Sequence, residues 1–173
     1  MNEAKIRAGL EEAVASGGIA GAVVAVTSAE GPVLQVAVGR QSLTDPAPMV
    51  EDSVFWVASM TKAVTTVAAM GTNQIGVLRA GQIGSVNPAL TAEADFYPGM
   101  DSKWGLGFLI NPEPGPLGRR ANSLTWAGLP NCYYWIDREL GIGALILTQV
   151  LPSGDLGALK AAAGFEFSLY ASL

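Results

Sequence analysis

Apolar residues recur at helical spacing in three stretches of the chain. The first stretch covers residues 3–16 and ends at the Gly17-Gly18 pair, a combination that stops helices. The second covers residues 59–70. The third follows Asp155, a residue type that caps helix N-termini. We therefore predict three amphipathic helices, one at each end of the chain and one in its first half.

Short β-rich runs bounded by Gly, Pro or Asn separate these helices. They cover residues 21–28, 33–39, 104–110, two pieces at 124–126 and 133–137, and 143–149. Most of the links between them have the length of hairpin loops, which favours antiparallel pairing. Apolar helices need a sheet face to cover, so the pattern predicts an α+β fold with a five-stranded antiparallel sheet.

Residues 71–100 break this regularity. They are rich in Gly, Asn and Pro and show no sustained period. We predict an irregular segment here, and a loop of that length within a compact domain is uncommon. The whole chain of 173 residues has the length of one domain, which we place at residues 1–173.

Composition and charge exclude several classes of function. Half of the residues are hydrophobic, so the chain can bury enough surface to fold. The formal net charge is −5 and only ten residues are Lys or Arg, which argues against nucleic-acid binding. The longest apolar runs are too short to span a membrane and the first residues are polar, so we expect a cytoplasmic protein. Arg119-Arg120 and the pair Asp137 and Glu139 are expected to be solvated.

The chain has no histidine and one cysteine, Cys132. The absence of histidine excludes a Ser-His-Asp triad, a Cys-His dyad and most zinc sites. We therefore expect neither a metal nor a cofactor. A nucleophilic mechanism would have to use Lys, Tyr or a carboxylate as its base.

Ser59 and Lys62 form the strongest candidate for such a mechanism. They lie three positions apart on a predicted helix, so the two side chains share a face. Ser59 would lie at the helix N-terminus, where free N–H groups favour negative charge. Lys62 could accept the serine proton if burial or a nearby cation favoured its neutral form. By itself, Ser-x-x-Lys also occurs by chance, and a serine at this position is often only a helix cap.

Two ordered motifs resemble one family. The segment of residues 55–65, which contains Ser59-Met60-Thr61-Lys62, resembles the active-site segment of class C β-lactamases and family VIII carboxylesterases. Residues 126–137 resemble the W-x-G box of those esterases. The chain is thus identified as a suspected member of the serine β-lactamase and penicillin-binding-protein-like group. The resemblance implies that the terminal helices cover one sheet face and that the Ser-x-x-Lys helix covers the other.

The resemblance also implies roles for individual residues. Ser59 would be the acylated nucleophile and Lys62 its general base. The backbone N–H groups of Ser59 and Leu129 would form the oxyanion hole. Trp126, Ala127 and Gly128 would border the substrate cleft, on what we expect to be an edge strand.

The chain departs from the family pattern at one place. The family carries a Tyr-x-Asn motif on a helical domain inserted after the Ser-x-x-K helix, and the match here continues without that domain. We therefore expect that the domain has been deleted near Met70 and Gly71. Of the remaining tyrosines, Tyr133 and Tyr134 fit packing roles, whereas Tyr97 lies in the irregular segment and could reach the site.

Two functions remain open at this point. The first is a minimal serine hydrolase of low efficiency that acts on small esters, with β-lactams as a second candidate class of substrate. The alternative is an inactive remnant of the fold that serves as a scaffold or binding module. Loss of a covering domain would expose apolar surface at the Ser59 helix, so we also expect a homodimer that covers this helix.

Overall fold

The computed structural model describes residues 1–73, 83–85, 103–105 and 107–173. Its three α-helices are α1 (Glu3–Ala15), α2 (Thr61–Asn73) and α3 (Leu156–Tyr170), and a 3-10 turn, Ala58–Met60, leads into α2. Its strands are β1 (Gly21–Ser28), β2 (Gly31–Gly39), β3 (Ile83–Ser85), β4 (Lys103–Trp104), β5 (Leu109–Ile110), β6 (Leu124–Gly128), β7 (Cys132–Asp137) and β8 (Ile142–Leu147).

The strands form one antiparallel sheet in the order β2-β1-β8-β7-β6-β5-β4-β3. The α+β class is confirmed. The expected count of five strands is too low: β3 was not predicted, the run at 104–110 forms β4 and β5, and the two pieces at 124–126 and 133–137 are separate strands, β6 and β7. β3, β4 and β5 have only two or three residues each. Strands this short carry almost no periodic signal in the sequence.

The expected single strand over residues 104–110 is wrong. It is a hairpin, in which Lys103 pairs with Ile110 and Trp104 pairs with Leu109. Gly107 has φ of +83°, a conformation that other residues rarely adopt, and it allows the chain to reverse. Of the predicted irregular segment 71–100, residues 71–73 end α2 and Ile83–Ser85 form β3, while the rest lies outside the described residues.

The main core lies between one sheet face and the two terminal helices. Ile6 and Leu10 of α1 and Phe165 and Leu169 of α3 are buried against the inward-facing residues of β1, β2, β7 and β8. Trp135 is the largest buried side chain of this core and packs against the Phe165 ring at a centroid distance of 5.5 Å. The opposite sheet face carries α2, with Ala63 against Phe108 and Tyr134. The predicted placement of the helices is confirmed.

Two predictions about charged residues are wrong for one member of each pair, since Arg120 and Glu139 are exposed as expected but Arg119 and Asp137 are not. Arg119 is buried, and its guanidinium forms a two-pronged ion pair with Glu166, with Nη2 to Oε2 at 2.6 Å. Asp137 is fully buried and accepts hydrogen bonds from the Tyr170 hydroxyl at 2.8 Å and from the Arg120 amide at 3.2 Å. Each buried charge is stabilised by partners from distant segments, which replace the lost water. The neighbouring residues in the sequence give no indication of these partners.

Asp155 has the predicted role of N-cap for α3. Its carboxylate accepts a hydrogen bond from the Ala158 amide at 3.0 Å. We expect Asp155→Ala to lower the free energy of unfolding by about 1 kcal/mol, because the first turn of α3 would lose this acceptor. Urea denaturation followed by circular dichroism would measure the loss. An unchanged midpoint would contradict the prediction, and Asp45→Ala, in an exposed loop, is the control.

Within the described part of the chain, no helix has both the length and the apolar character needed to cross a bilayer.

Candidate active site

Ser59 lies in the middle of the 3-10 turn that precedes α2, and its side chain is half-buried. The turn is closed by a hydrogen bond from the Met60 amide to the Val57 carbonyl at 3.0 Å. Ala58, the residue before Ser59, has φ of +44°. A non-glycine residue adopts this left-handed conformation at some cost and keeps it where neighbouring contacts hold it. The backbone at Ser59 is therefore set by its surroundings as well as by helix propensity.

Lys62 contacts the Ser59 hydroxyl directly. Its Nζ donates a hydrogen bond to Ser59 Oγ at 2.9 Å. Lys62 lies in the first turn of α2 and its side chain is exposed to solvent. The structure thus brings the two predicted partners together at a distance suited to proton transfer. It leaves the lysine solvated, whereas a lysine acts most readily as a base when water is removed from around it.

Gly128, at the end of β6, lies against the turn that carries Ser59. A Cβ atom at this position would lie only 2.4 Å from the Val57 carbonyl oxygen, which real Cβ atoms essentially never do. Only glycine lets the strand and the turn approach this closely. The predicted W-x-G box and the turn of the predicted nucleophile are therefore neighbours, with the backbone of Gly128 packed against the carbonyl of Val57.

The expectation that this box lies on an edge strand is wrong. β6 pairs with β7 along its whole length and with β5 at Leu124 and Thr125. Within the part of the chain described, the remaining box residues, Trp126, Ala127 and Gly128, pair with β7 alone. The short β5 thus covers the beginning of the strand and leaves the end near Ser59 without a second sheet neighbour among those residues.

Asn131 holds the turn that contains Leu129, the second predicted oxyanion residue. Its Oδ1 accepts hydrogen bonds from the Tyr133 hydroxyl at 2.7 Å and from the Gly154 amide at 2.9 Å. Its Nδ2 donates to the carbonyls of Val150 and Pro152, each at 2.8 Å. Asn131 is fully buried and has φ of +59°, so both its side chain and its backbone conformation shape the turn. Sequence analysis did not single out this residue.

Gln149 was also missed, and it connects the segment before Ser59 to the sheet. Its Oε1 accepts from the Trp56 amide at 3.1 Å, and its Nε2 donates to the Trp56 carbonyl at 3.3 Å. The side-chain amide thus pairs with Trp56 as a peptide group of a neighbouring strand would. A glutamine after a predicted strand gives no local signal for a contact with a residue 93 positions away.

We expect Gln149→Ala to slow acylation of Ser59 by roughly tenfold, because the turn loses its two-point attachment and misplacement of a nucleophile is costly. The fold should lose only about 1 kcal/mol, the usual net value of a hydrogen bond. The rate of active-site labelling and a thermal melt would separate these effects. The control is Gln41→Ala, which removes another exposed amide that bonds a backbone carbonyl. Equal labelling rates in both variants would contradict this role.

The tyrosines near the site behave as packing residues. Burial raises the pKa of both Tyr133 and Tyr134 to about 12, so both are neutral phenols at neutral pH. Tyr134 packs edge-on against Phe108 at a centroid distance of 6.3 Å. Cys132 is buried, as expected, and burial raises the pKa of its thiol. Tyr97 lies outside the described residues, and its predicted approach to the site stays a prediction.

Residues 6–79, which include Ser59 and Lys62, match the family model described as beta-lactamase. The resemblance to the serine β-lactamases is confirmed. Solved structures agree on the fold. A variant of simvastatin synthase (LovD) from Aspergillus terreus superposes with a TM-score of 0.78 at 13% sequence identity, with 96% of both chains covered. No curated protein sequence matches this chain.

Two further structures of this β-lactamase-like fold are similar. EstCE1, a hydrolase with promiscuous acyltransferase activity, has a TM-score of 0.72 at 10% identity and covers 96% of this chain and 98% of its own. A penicillin-binding protein homologue from Caulobacter crescentus has a TM-score of 0.69 at 12% identity, with 98% and 97% covered. At these sequence identities the similarity establishes the fold only. The chemistry has to be inferred from the residues of the candidate site.

Proposed function

We propose that this β-lactamase-like protein is a minimal serine hydrolase that forms an acyl-enzyme at Ser59. The observation that carries the proposal is the hydrogen bond of 2.9 Å between Lys62 Nζ and Ser59 Oγ, at the start of α2 and beside Gly128. Its substrates would be small carboxylic esters and, as a second candidate class, β-lactams. EstCE1, a hydrolase with promiscuous acyltransferase activity, has the same fold, which supports a reaction that transfers an acyl group.

In the proposed mechanism, the neutral Lys62 amine takes the hydroxyl proton of Ser59 as the oxygen attacks the ester carbonyl carbon. The negative charge that develops on the carbonyl oxygen is stabilised by the backbone N–H groups of Ser59 and Leu129. The Lys62 ammonium then gives its proton to the leaving alkoxide, and the acyl group stays on Ser59. Water hydrolyses this ester with Lys62 again as base, which restores the enzyme.

A fluorophosphonate probe and intact mass spectrometry test the proposal. We expect one covalent adduct per chain, and peptide mapping is expected to locate it on Ser59. Labelling should compete with a p-nitrophenyl ester, because both react at the same oxygen. The absence of an adduct, or an adduct on another residue, would refute the proposal.

A different function, a scaffold or binding module without catalysis, is favoured by the exposure of Lys62. A lysine acts most readily as a base when water is removed from around it, and the family's Tyr-x-Asn motif is absent from the chain. Ester turnover above background that disappears in Lys62→Ala would reject this alternative. The missing helical domain would also explain low efficiency, since loss of a positioned acid or base costs about a hundredfold to ten-thousandfold.

We further propose a homodimer that covers the exposed apolar residues of α2 and of the segment before it. Val64 and Val67 expose 70% and 56% of their surface, and Val54 and Trp56 are exposed in the segment before Ser59. Apolar residues clustered in this way tend to be buried by a partner. Such a partner would also remove water from Lys62, which would favour the neutral amine.

Light scattering coupled to size-exclusion chromatography is expected to give the mass of a dimer. Val64→Glu should give the mass of a monomer, because it places a charge in the proposed interface. Leu43→Glu, at another exposed position in the loop after β2, should leave the dimer intact. A monodisperse monomer of the unaltered protein at high concentration would contradict the proposal.

A further inference from the structure

An apolar groove of about 640 Å³ lies beside α2, on the sheet face opposite the main core. Its volume falls within the range of roughly 300–1,000 Å³ that is typical of small-molecule sites. None of the described residues that line it is charged; Thr27 and Gln35 supply its few polar groups together with Tyr134. Such a lining disfavours a charged group inside the groove and favours a flexible apolar chain.

One end of the groove reaches the turn that carries the proposed nucleophile. Val57 and Met60, on either side of Ser59, both line it, whereas Ser59 itself does not. Ala63 and Val67 of α2 continue one wall away from that turn. A ligand in the groove can therefore have one end at the Ser59 turn and the rest beneath α2.

The groove extends across four neighbouring strands, β7, β8, β1 and β2, which supply its floor. At about 4.8 Å between neighbouring strands, this distance is roughly 14 Å. Small residues make the space: Gly143 of β8 and Ala25 of β1 lie on the floor, where larger side chains would fill it. An extended chain advances about 1.2 Å per backbone bond, so the floor accommodates roughly twelve bonds.

We propose that this groove binds the acyl chain of a medium-chain ester, with about eight to ten carbons, whose carbonyl carbon lies at Ser59. The proposal rests on the proposed hydrolase function and adds its substrate class. Each methylene that leaves water for the groove should raise kcat/KM about threefold to fourfold. Chemistry at Ser59 is unchanged by chain length, so the preference comes from binding of the chain alone.

The first test compares p-nitrophenyl acetate, butanoate, octanoate and decanoate. We expect kcat/KM for the octanoate, with four more methylenes, to exceed that for the butanoate by roughly a hundredfold. Ala25→Phe fills the floor of the groove and should remove most of this preference while the acetate rate stays within about twofold. Gln35→Phe, at the exposed rim on β2, is a second groove variant in case the first fails to fold.

Ala37→Phe is the matched control. Ala37 is two residues after Gln35 in β2, so its side chain lies on the same sheet face. It does not line the groove. This variant should keep the full preference for octanoate. A flat or falling chain-length profile, or equal effects of Ala25→Phe and Ala37→Phe, would overturn the proposal.

A binding measurement separates this proposal from the hydrolase function. In Ser59→Ala, calorimetry with decanoate should detect one site, and Ala25→Phe in the same background should remove it. If Ser59 is labelled but decanoate does not bind, the groove proposal fails and the hydrolase function stands.

If decanoate binds but no ester acylates Ser59, the hydrolase function fails. Conversion of the dimer to a monomer by Ala25→Phe would identify the groove as a protein interface and overturn the proposal.

Discussion

Replacing Ser59 with alanine is expected to reduce ester hydrolysis to the uncatalysed background and to abolish covalent labelling. Loss of the nucleophile in a serine hydrolase costs roughly 10⁴-fold or more in kcat, because the covalent route disappears. The fold should be unaffected, since the hydrogen bond that Ser59 makes with Lys62 is exposed. Initial rates with p-nitrophenyl butanoate, measured beside intact-mass labelling, would test this expectation.

The matched control for this substitution is Ser53→Ala. Ser53 is also half-buried and lies in the loop that leads to the same turn, where its hydroxyl accepts a hydrogen bond from the Val50 amide. It should keep full activity. Lys62→Met removes the base and retains the apolar stem, and should lower the rate by a hundredfold or more. Hydrolysis that persists in Ser59→Ala would show that the reaction occurs elsewhere.

Replacing Gly128 with alanine should have the second largest effect. The added Cβ would lie 2.4 Å from the Val57 carbonyl, which is a backbone atom and cannot rotate away. Strand β6 and the Ser59 turn would have to separate, and a displacement of about 1 Å at a reacting group costs on the order of a hundredfold in rate. We expect kcat/KM to fall by this amount, with a stability loss of about 1–3 kcal/mol.

The control for this effect is Gly164→Ala in α3. A Cβ at Gly164 meets no atom within 4 Å, and alanine in a helix is more favourable than glycine by roughly 0.5–1 kcal/mol. This variant should be fully active and slightly more stable. Gly128→Ala with normal kinetics would mean that the contact with Val57 has no part in placing Ser59.

The predicted elements with clear periodicity agree with the structure. The stripe of Ile6 and Leu10 became buried in α1, and the cap at Asp155 begins α3. The β1–β2 hairpin has the predicted position as well. In these cases one local pattern determines both the element and the face that it buries, so a reading of neighbouring residues suffices.

The errors have a different physical origin. Residues 104–110 look like one strand because their apolar side chains are continuous, and only the backbone angle at Gly107 shows the reversal. Arg119 looks solvated until Glu166, 47 residues later, lies beside it. At the site, the sequence identified Ser59 and Lys62 through their spacing, but Asn131 and Gln149 act through partners that the fold brings together.

The pairing of Gln149 with Trp56 has a consequence for the order of folding. It joins residues 93 positions apart, so the chain must close a very long loop before Ser59 is held in place. Local hairpins and helices form earlier, because short loops close faster and at lower entropic cost. The central pairing of β1 with β8, in which Val23 lies opposite Leu147, closes a longer loop still. The turn at Ser59 should thus become ordered together with the long-range part of the sheet, after the local hairpins and helices. Reactivity of Ser59 toward a covalent probe would then report the closure of the whole sheet.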